Sequence, residues 1–268
     1  MMQKGGIRGT QASMNSLPNL SKISIITVVF NGAVTLEDTI RSVIDQSYEN
    51  IEHIIIDGGS TDATLDILRK YNGDVAYWVS EKDTGIYDAM NKGIALCTGE
   101  YVGMLNSDDM FSNENVVEEI AKQFSTTNAD AIFSCLNIVD KNNLENIIRK
   151  YRVAKLTSSL LRIGIMPAHP TFYCKKNCYE EAGFYKTDYK IAADFEMLVR
   201  LLIRQKISWS FLDKVTVTMR SGGVSNGGFM SSIKLNCEII RACKENGLYT
   251  NWLFLILKLP IRLLELIR

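Results

Sequence analysis

Apolar residues in this chain fall into short runs that alternate with segments of helical periodicity. Residues 24–30 (SIITVVF) are mostly apolar and β-branched, a pattern typical of a strand buried on both faces of a parallel sheet. In the next segment, Leu36, Ile40 and Val43 recur at the spacing of one helix face. The pattern continues with predicted strands at residues 51–56, 75–79 and 101–105 and predicted helices at residues 63–71, 89–95 and 116–124. This alternation predicts an α/β fold with a mostly parallel central sheet flanked by helices.

The alternation weakens in the second half of the chain, where strand-like runs occur at residues 131–133 and 215–218. We interpret residues 22–228 as a single domain. Residues 1–21 are rich in Gly, Ser, Asn and Gln and lack the apolar core of a secretion signal, so we predict a flexible tail. Residues 229–268 are predicted to form a C-terminal amphipathic helical segment.

Charge and cysteine content narrow the class of protein. The chain has 268 residues with 30 basic and 30 acidic side chains, so no net field attracts nucleic acid, and we exclude nucleic acid as a partner. None of the six cysteines forms a Cys-x-x-Cys pair typical of zinc sites. Reduced cysteines are typical of a cytoplasmic protein, which is the location we expect.

Two acidic turns follow predicted strands. The sequence NSDD at residues 106–109 comes directly after the strand at 101–105, and DGGSTD at residues 57–62 comes after the strand at 51–56. Because ligands of open α/β sheets bind outside the carboxyl ends of the strands, both turns are expected to open onto one crevice. Paired carboxylates at this position suggest a hard cation.

Six short motifs together carry a family resemblance. They are TVVFN at residues 27–31, DGGSTD at 57–62, DAMNKG at 88–93, GEY at 99–101, NSDD at 106–109 and ADFE at 193–196. In order and spacing they resemble family 2 glycosyltransferases, inverting enzymes of the Rossmann-like GT-A fold that use nucleotide-diphosphate sugars, including bacterial surface-polysaccharide glycosyltransferases. The resemblance implies a nucleotide-sugar donor and a saccharide or lipid-linked acceptor.

The resemblance also implies a donor site. Phe30 offers an aromatic face for a nucleobase, although the residue alone fits a core position equally well. Asp57 accepts hydrogen bonds only and is expected to contact the base. The residues predicted to bind the nucleotide sugar are Thr27, Phe30, Asn31, Asp57, Gly85, Asn91, Lys92, Asn106 and Ser107.

A metal site is expected at the NSDD motif. A diphosphate leaving group gains negative charge, and Mn²⁺ or Mg²⁺ bound by one or two carboxylates can stabilise it. We assign Asp108 as the direct ligand. Asn106 stands where the family commonly has an aspartate, and we interpret it as hydrogen-bonding a ribose or a phosphate. Asp109 is either a supporting partner of the site or a solvated neighbour.

An inverting transfer needs a general base for the acceptor hydroxyl. From the residues alone, Asp194 is predicted to lie in the first turn of a helix, where the helix dipole stabilises a negative charge. The resemblance instead makes Asp194 the catalytic base and puts Glu196 and His169 on the acceptor side.

Two further segments allow two interpretations each. The glycine-rich residues 221–228 are either a hinge loop that closes over the donor or a linker. Residues 252–268 are apolar but interrupted by Lys258, Pro260 and Arg262, so they are too short and too charged to span a bilayer. They either lie in a membrane interface as a peripheral anchor or pack against the domain.

The sequence therefore predicts a metal-dependent inverting glycosyltransferase of bacterial surface-polysaccharide biosynthesis. An alternative is a non-catalytic protein of the same fold that binds a nucleotide sugar or a glycan, an idea raised by Asn106. A nucleotidyltransferase is less favoured, because residues 27–35 contain no Lys or Arg to bind phosphates.

Overall fold

The computed structural model describes residues 2–9, 20–222 and 228–257 and, of residues 228 and 229, the backbone only. Its strands are β1 (Gln3–Gly5), β2 (Ile23–Val29), β3 (Ile51–Asp57), β4 (Tyr77–Ser80), β5 (Tyr101–Met104), β6 (Asp109–Phe111), β7 (Ala131–Asp140), β8 (Asn143–Tyr151), β9 (Tyr173–Lys175) and β10 (Trp209–Arg220). Its α-helices are α1 (Leu36–Ile44), α2 (Thr64–Lys70), α3 (Ile86–Leu96), α4 (Val116–Thr127), α5 (Ser158–Arg162), α6 (Lys176–Ala182), α7 (Ala193–Val199), α8 (Gly228–Glu245) and α9 (Trp252–Ile256). Short 3₁₀ helices lie at Ile7–Gly9 and His169–Thr171, and α7 continues as a π-helix at Arg200–Gln205.

The described strands form one mixed sheet in the order β1-β4-β3-β2-β5-β9-β7-β10-β6, with β8 paired to β7. Strands β2, β3, β4 and β5 pair in parallel, as do β7 and β10. Strand β9 joins the two parallel groups by pairing antiparallel with both β5 and β7. The predicted α/β fold with a central sheet flanked by helices is therefore confirmed, but the described sheet is mixed rather than mostly parallel, with four parallel and five antiparallel strand pairings.

Strand β2 lies at the centre of the first parallel group, and all seven of its residues are buried. Ile26 and Val28 pack in the core that contains α3, whereas Val29 packs on the other face in the core that contains α1. Gly93 lets α3 come close, because a Cβ there would lie 2.4 Å from the Ile26 side chain. Burial on both faces explains why this strand reads as a continuous apolar run.

The N-terminal residues contradict the expected flexible tail. Residues Gln3–Gly5 pair antiparallel with the edge strand β4, and Arg8 forms an ion pair with the buried carboxylate of Glu52. The prediction for residues 1–21 is therefore wrong for residues 3–9. The physical reason is long-range: the exposed edge of β4 supplies backbone partners, and a buried charge needs an opposite one.

The second half of the sheet is longer than its sequence pattern suggests. Strands β7 and β10 extend well beyond the predicted runs, and they carry β8 and β6 at their sides. Helix α8 packs against α7 and closes one side of the domain. Within the described ranges, none of the helices is long and apolar enough to cross a bilayer.

Candidate active site

Two acidic residues follow the carboxyl end of β5 in a tight turn. The Leu105 N–H donates to the Ile26 carbonyl oxygen (2.9 Å), which holds the start of the turn against β2. The Asp109 N–H donates to the Asn106 carbonyl oxygen (3.0 Å) and closes the turn. Asp108 is half-buried, whereas Asp109 is only 1% exposed. The turn therefore presents Asp108 as its accessible carboxylate.

The electrostatics of this turn favour a positively charged ligand. Burial raises the pKa of Asp109 well above its ordinary value, and the adjacent Asp108 carboxylate raises it further. In the described part of the chain, no group hydrogen-bonds the buried Oδ1 atoms of Asn106 and Asp109. Unpartnered buried oxygens beside a carboxylate fit an oxygen-coordinated divalent cation. Of the two interpretations of Asp109, the solvated one is wrong because the side chain is buried.

Arg220 is a site residue that the sequence reasoning missed. It ends β10, and its Nη1 donates to the Asp108 carbonyl oxygen (2.9 Å) while its Nη2 pairs with the Asp38 carboxylate (2.5 Å). The guanidinium thus ties β10 and α1 to the acidic turn. The available signal was a cation at the end of a strand, immediately before the glycine-rich segment.

The turn after β3 lies at the same edge of the sheet, because Asp57 pairs with Val29 at the end of β2. The Asp57 carboxylate is fully buried and accepts hydrogen bonds from Ser80 Oγ (2.5 Å), Ser60 Oγ and the Ser60 N–H. Asp57 therefore joins β3, β4 and the following loop. It occupies the predicted edge, with its carboxylate already bound to protein donors.

Asn31 connects this turn to the end of β2. Its backbone N–H donates to Ser60 Oγ (2.7 Å), and its side-chain Oδ1 accepts from the Thr61 N–H (2.8 Å). The next residue, Gly32, approaches the acidic turn, since a Cβ there would lie 3.3 Å from Ser107 Oγ. The predicted donor residues Asn31, Asp57 and Ser107 are thus brought together.

Phe30 and Thr27 have opposite environments. The Phe30 side chain is 65% exposed at the end of β2, so its interpretation as a core residue is wrong. Thr27 is completely buried, and its Oγ1 lies 3.0 Å from Nε2 of His53. Burial lowers the pKa of His53 to about 3, so this interior pair is neutral. The Thr27 hydroxyl is therefore bonded inside the protein, and the predicted contact of Thr27 with a nucleobase stays a prediction that involves its backbone.

Asp194 and His169 meet at the same edge of the sheet. Strand β9 runs antiparallel to β5 with Tyr173 opposite Gly103, so the preceding His169–Thr171 turn lies beyond the carboxyl end of β5, where the acidic turn begins. His169 Nε2 lies 2.9 Å from the Tyr185 hydroxyl, and the three side chains of His169, Tyr185 and Asp194 line one small, largely apolar pocket. The structure thus joins His169 to the predicted base.

Burial in this pocket shifts the pKa values of Asp194 and His169. Burial raises the pKa of Asp194, and the charge of His169 and the Phe195 N–H, which donates to Asp194 Oδ1 (2.8 Å), oppose the rise. Burial lowers the pKa of His169, and Asp194 opposes that change. A carboxylate with a raised pKa next to a neutral imidazole is suited to accept a proton.

The sequence model described as glycosyl transferase family 2 matches residues 24–188, more than half of the chain. The chain belongs to glycosyl transferase family 2. An uncharacterized glycosyltransferase of Mycobacterium tuberculosis is 34% identical over 195 residues, which cover 70% of each chain. A PGL/p-HBAD biosynthesis glycosyltransferase of the same organism is 26% identical over 208 residues, covering 76% of this chain and 78% of the relative.

Solved structures share the fold of this glycosyltransferase. Residues 1–349 of Staphylococcus aureus TarS, solved in complex with UDP-GlcNAc, superpose with a TM-score of 0.68 at 17% identity over 85% of this chain and 68% of that one. The mannosyltransferase PcManGT of Pyrobaculum calidifontis, solved with GDP-Man and Mn²⁺, gives a TM-score of 0.63 at 16% identity over 84% and 64% of the two chains. Both support the GT-A fold.

Three of the residues predicted to bind the nucleotide sugar lie at the start of α3 or on it, namely Gly85, Asn91 and Lys92. Gly85 precedes α3 with a φ of 135°, a conformation that favours glycine. Asn91 uses its whole amide on the backbone of Tyr185, donating to the carbonyl oxygen (2.8 Å) and accepting from the N–H (2.8 Å). Lys92 pairs with Glu81 (2.9 Å). The Asn91 amide therefore supports the pocket of His169 and Asp194, rather than facing a nucleotide as predicted.

Glu196 does not face an acceptor in this glycosyltransferase. Its side chain is completely buried and forms ion pairs with Arg200 (2.9 Å) and Lys186 (2.9 Å), and it accepts a hydrogen bond from Asn246 Nδ2 (3.1 Å). The acceptor-side assignment is wrong, because these partners enclose the Glu196 carboxylate and leave none of it exposed. Glu196 instead ties α7 to Lys186 and to Asn246, the residue that directly follows α8.

Two predictions fall outside the described structure. Of the glycine-rich segment 221–228, residues 223–227 lie outside the described residues, and so do residues 258–268 of the C-terminal segment. Within the ranges that are described, no group of three or more His, Cys, Asp and Glu side chains is arranged to hold a metal.

Proposed function

We propose that this glycosyltransferase transfers a sugar from a nucleotide-diphosphate donor to an acceptor hydroxyl with inversion at the anomeric carbon. The observation that carries the proposal is a half-buried carboxylate, Asp194, in a largely apolar pocket at the same sheet edge as the accessible carboxylate of Asp108. One carboxylate is suited to accept a proton, and the other is suited to hold a cation near phosphates. In a direct displacement, a base takes the proton of the attacking hydroxyl, and a cation stabilises the charge on the leaving diphosphate.

The chemistry assigned to Asp194 is general base catalysis. As the acceptor oxygen attacks the anomeric carbon, the proton of its hydroxyl passes to the Asp194 carboxylate. The bond between that carbon and the diphosphate oxygen breaks, and its electron pair leaves with the nucleoside diphosphate. The raised pKa of Asp194 makes it a stronger base than an exposed aspartate, and the apolar walls of its pocket, Phe133, Phe172 and Met197, limit water.

We propose that Asp108 holds Mn²⁺ or Mg²⁺, with Asn106 and Asp109 adding their unpartnered oxygens directly or through water. When bound there, the ion would supply Lewis-acid stabilisation of the charge on the leaving diphosphate. Arg220 holds the Asp108 backbone in place. The Mn²⁺ bound to PcManGT supports a divalent cation in this fold.

A donor panel tests the proposed function. With Mn²⁺ present, we expect one class among UDP-, GDP- and dTDP-sugars to raise Tm by about 5–10 °C at roughly 100 times Kd. The same donor should release nucleoside diphosphate, and NMR of the glycoside product should show the anomeric configuration opposite to that of the donor. Retention of configuration would contradict the inverting mechanism, and no Tm change or turnover with any donor would contradict the function.

We propose a saccharide or lipid-linked acceptor in bacterial surface-glycan assembly, reached from the cytoplasmic face of the membrane. The relative named as a PGL/p-HBAD biosynthesis glycosyltransferase supports a biosynthetic role for the transfer. The described part of the C-terminal segment presents exposed apolar side chains, namely Trp252, Leu253, Ile256 and Leu257. Such a surface suits the interfacial region of a bilayer.

Vesicle sedimentation tests this membrane contact. We expect the enzyme to sediment with vesicles containing anionic lipid, and the double variant Leu253→Glu/Leu257→Glu to remain in the supernatant. Met230→Glu is the matched control, because Met230 is an apolar side chain that is 74% exposed and lies in the first turn of α8 instead of on α9. Equal supernatant recovery of the unmodified enzyme with and without vesicles would remove the membrane from the proposal.

A further inference from the structure

Glu238 on α8 binds the loop that leads into α7. Its Oε1 accepts a hydrogen bond from the Lys190 N–H (2.9 Å), and its Oε2 accepts from the N–H groups of Ile191 (2.9 Å) and Ala192 (2.9 Å). Only 9% of the residue is exposed. Three hydrogen bonds to one shielded carboxylate make a strong attachment, because charge-assisted bonds are shorter and stronger than neutral ones.

The same loop is held from its other side. The Tyr87 hydroxyl on α3 donates to the Ile191 carbonyl oxygen (2.6 Å). The peptide groups of residues 190–192 are therefore clamped between α3 and α8, and Asp194 follows two residues later. A small movement of this loop would displace the Asp194 carboxylate relative to His169.

We propose that Glu238 is a positioning residue for the catalytic base: it holds the residue 190–192 loop so that Asp194 faces the acceptor hydroxyl. This inference rests on the proposed function of Asp194. Both Glu238 and Asp194 lie beyond residues 24–188, the segment matched by the family. Through Glu238, helix α8 thereby becomes part of the active-site architecture.

Glu238 also acts on Asp194 through its charge. The groups that face Asp194 are His169 from the turn before β9, Tyr185, Tyr87 from α3 and Glu238 from α8. Burial is the largest cause of the raised Asp194 pKa, His169 lowers it, and the negative charge of Glu238 raises it. Removing that charge should therefore lower the pKa of Asp194. The acid limb of the pH–activity profile, where activity falls because Asp194 becomes protonated, should then move to lower pH.

The test is Glu238→Gln in the full-length enzyme, with Glu245→Gln as the matched control. Glu245 is on the same helix and binds the side chains of Lys186 and Tyr189 instead of the loop backbone. For Glu238→Gln we expect kcat to fall by about tenfold to a hundredfold with little change in donor KM, since misplaced catalytic groups cost rates of this order. Its acid limb should move to lower pH, whereas that of Glu245→Gln should not move.

A ¹³C NMR titration of the Asp194 carboxyl group gives a readout that needs no turnover. If the native enzyme transfers no sugar, the proposed function fails, while the titration still decides whether Glu238 acts on Asp194. A Glu238→Gln variant with native kcat and a native Asp194 titration overturns the inference. Should that variant not fold, Glu238→Asp keeps the charge but retracts the carboxylate, and native kcat in Glu238→Asp also overturns it.

Discussion

Replacing Asp194 with Asn is expected to lower kcat by about 10³-fold while leaving the donor KM nearly unchanged. A positioned general base contributes about 10²- to 10⁴-fold, and the amide of Asn cannot accept the acceptor proton. The substitution keeps the size of the side chain and its hydrogen bond from the Phe195 N–H. Steady-state release of nucleoside diphosphate in the presence of acceptor measures the effect.

The pH profile adds a second readout of Asp194. Transfer requires the ionised carboxylate, and burial raises the pKa of Asp194, so activity should fall on the acid side at a higher pH than for an ordinary aspartate. This limb should be lost in the residual activity of Asp194→Asn. Asp188→Asn is the control, because Asp188 is exposed and pairs with Arg241. Full transfer activity in the Asp194→Asn variant would contradict the assignment of Asp194 as the general base.

Asp108→Asn is expected to reduce transfer by about 10²- to 10³-fold, because Lewis-acid stabilisation of a leaving group is worth several kcal/mol. In contrast to Asp194→Asn, it should also weaken metal-dependent nucleotide binding. The turn itself should survive, since its closing bond joins the backbones of Asp109 and Asn106. Calorimetric titration with nucleoside diphosphate, with and without Mn²⁺, measures the difference.

Asp213→Asn is the matched control for Asp108→Asn. Asp213 is an exposed carboxylate of β10 that pairs with Arg152, and within the described residues it makes no hydrogen bond to the acidic turn. The Asp213→Asn variant should retain both sugar transfer and Mn²⁺-dependent nucleotide binding. The metal assignment fails if Asp108→Asn binds nucleotide in Mn²⁺ as tightly as the unmodified enzyme does.

The sequence predicted the first parallel strands well and the later strands poorly. Strands β2 and β3 are buried on both faces, so they read as unbroken apolar runs. Strand β8 lies at an exposed edge, and its polar sequence (NLENIIRKY) carries no burial pattern. Strand β1 was missed for a related reason: its two exposed residues and one glycine form a strand because β4 offers a free edge.

The sequence also predicted some residues of the candidate site correctly and others incorrectly. The family motifs located Asp108, Asp57 and Asp194 on the turns and helix that meet at one edge of the sheet. They also suggested Thr27 and Glu196, which the fold encloses with His53 and with Arg200. Whether a polar side chain faces a crevice or an interior partner depends on residues distant in sequence, which no local pattern records.

By itself, the sequence determined the strand–helix order from β2 to β5, the acidic turns at strand ends and the family, because periodicity and motif spacing are properties of neighbouring residues. The tertiary structure alone decided that Asp109 is buried beside an accessible Asp108, that Arg220 ties β10 to the acidic turn, and that Glu238 holds the loop before Asp194. Those properties arise from long-range packing. Burial sets the protonation of a carboxylate, and contacts across more than forty residues set where it points.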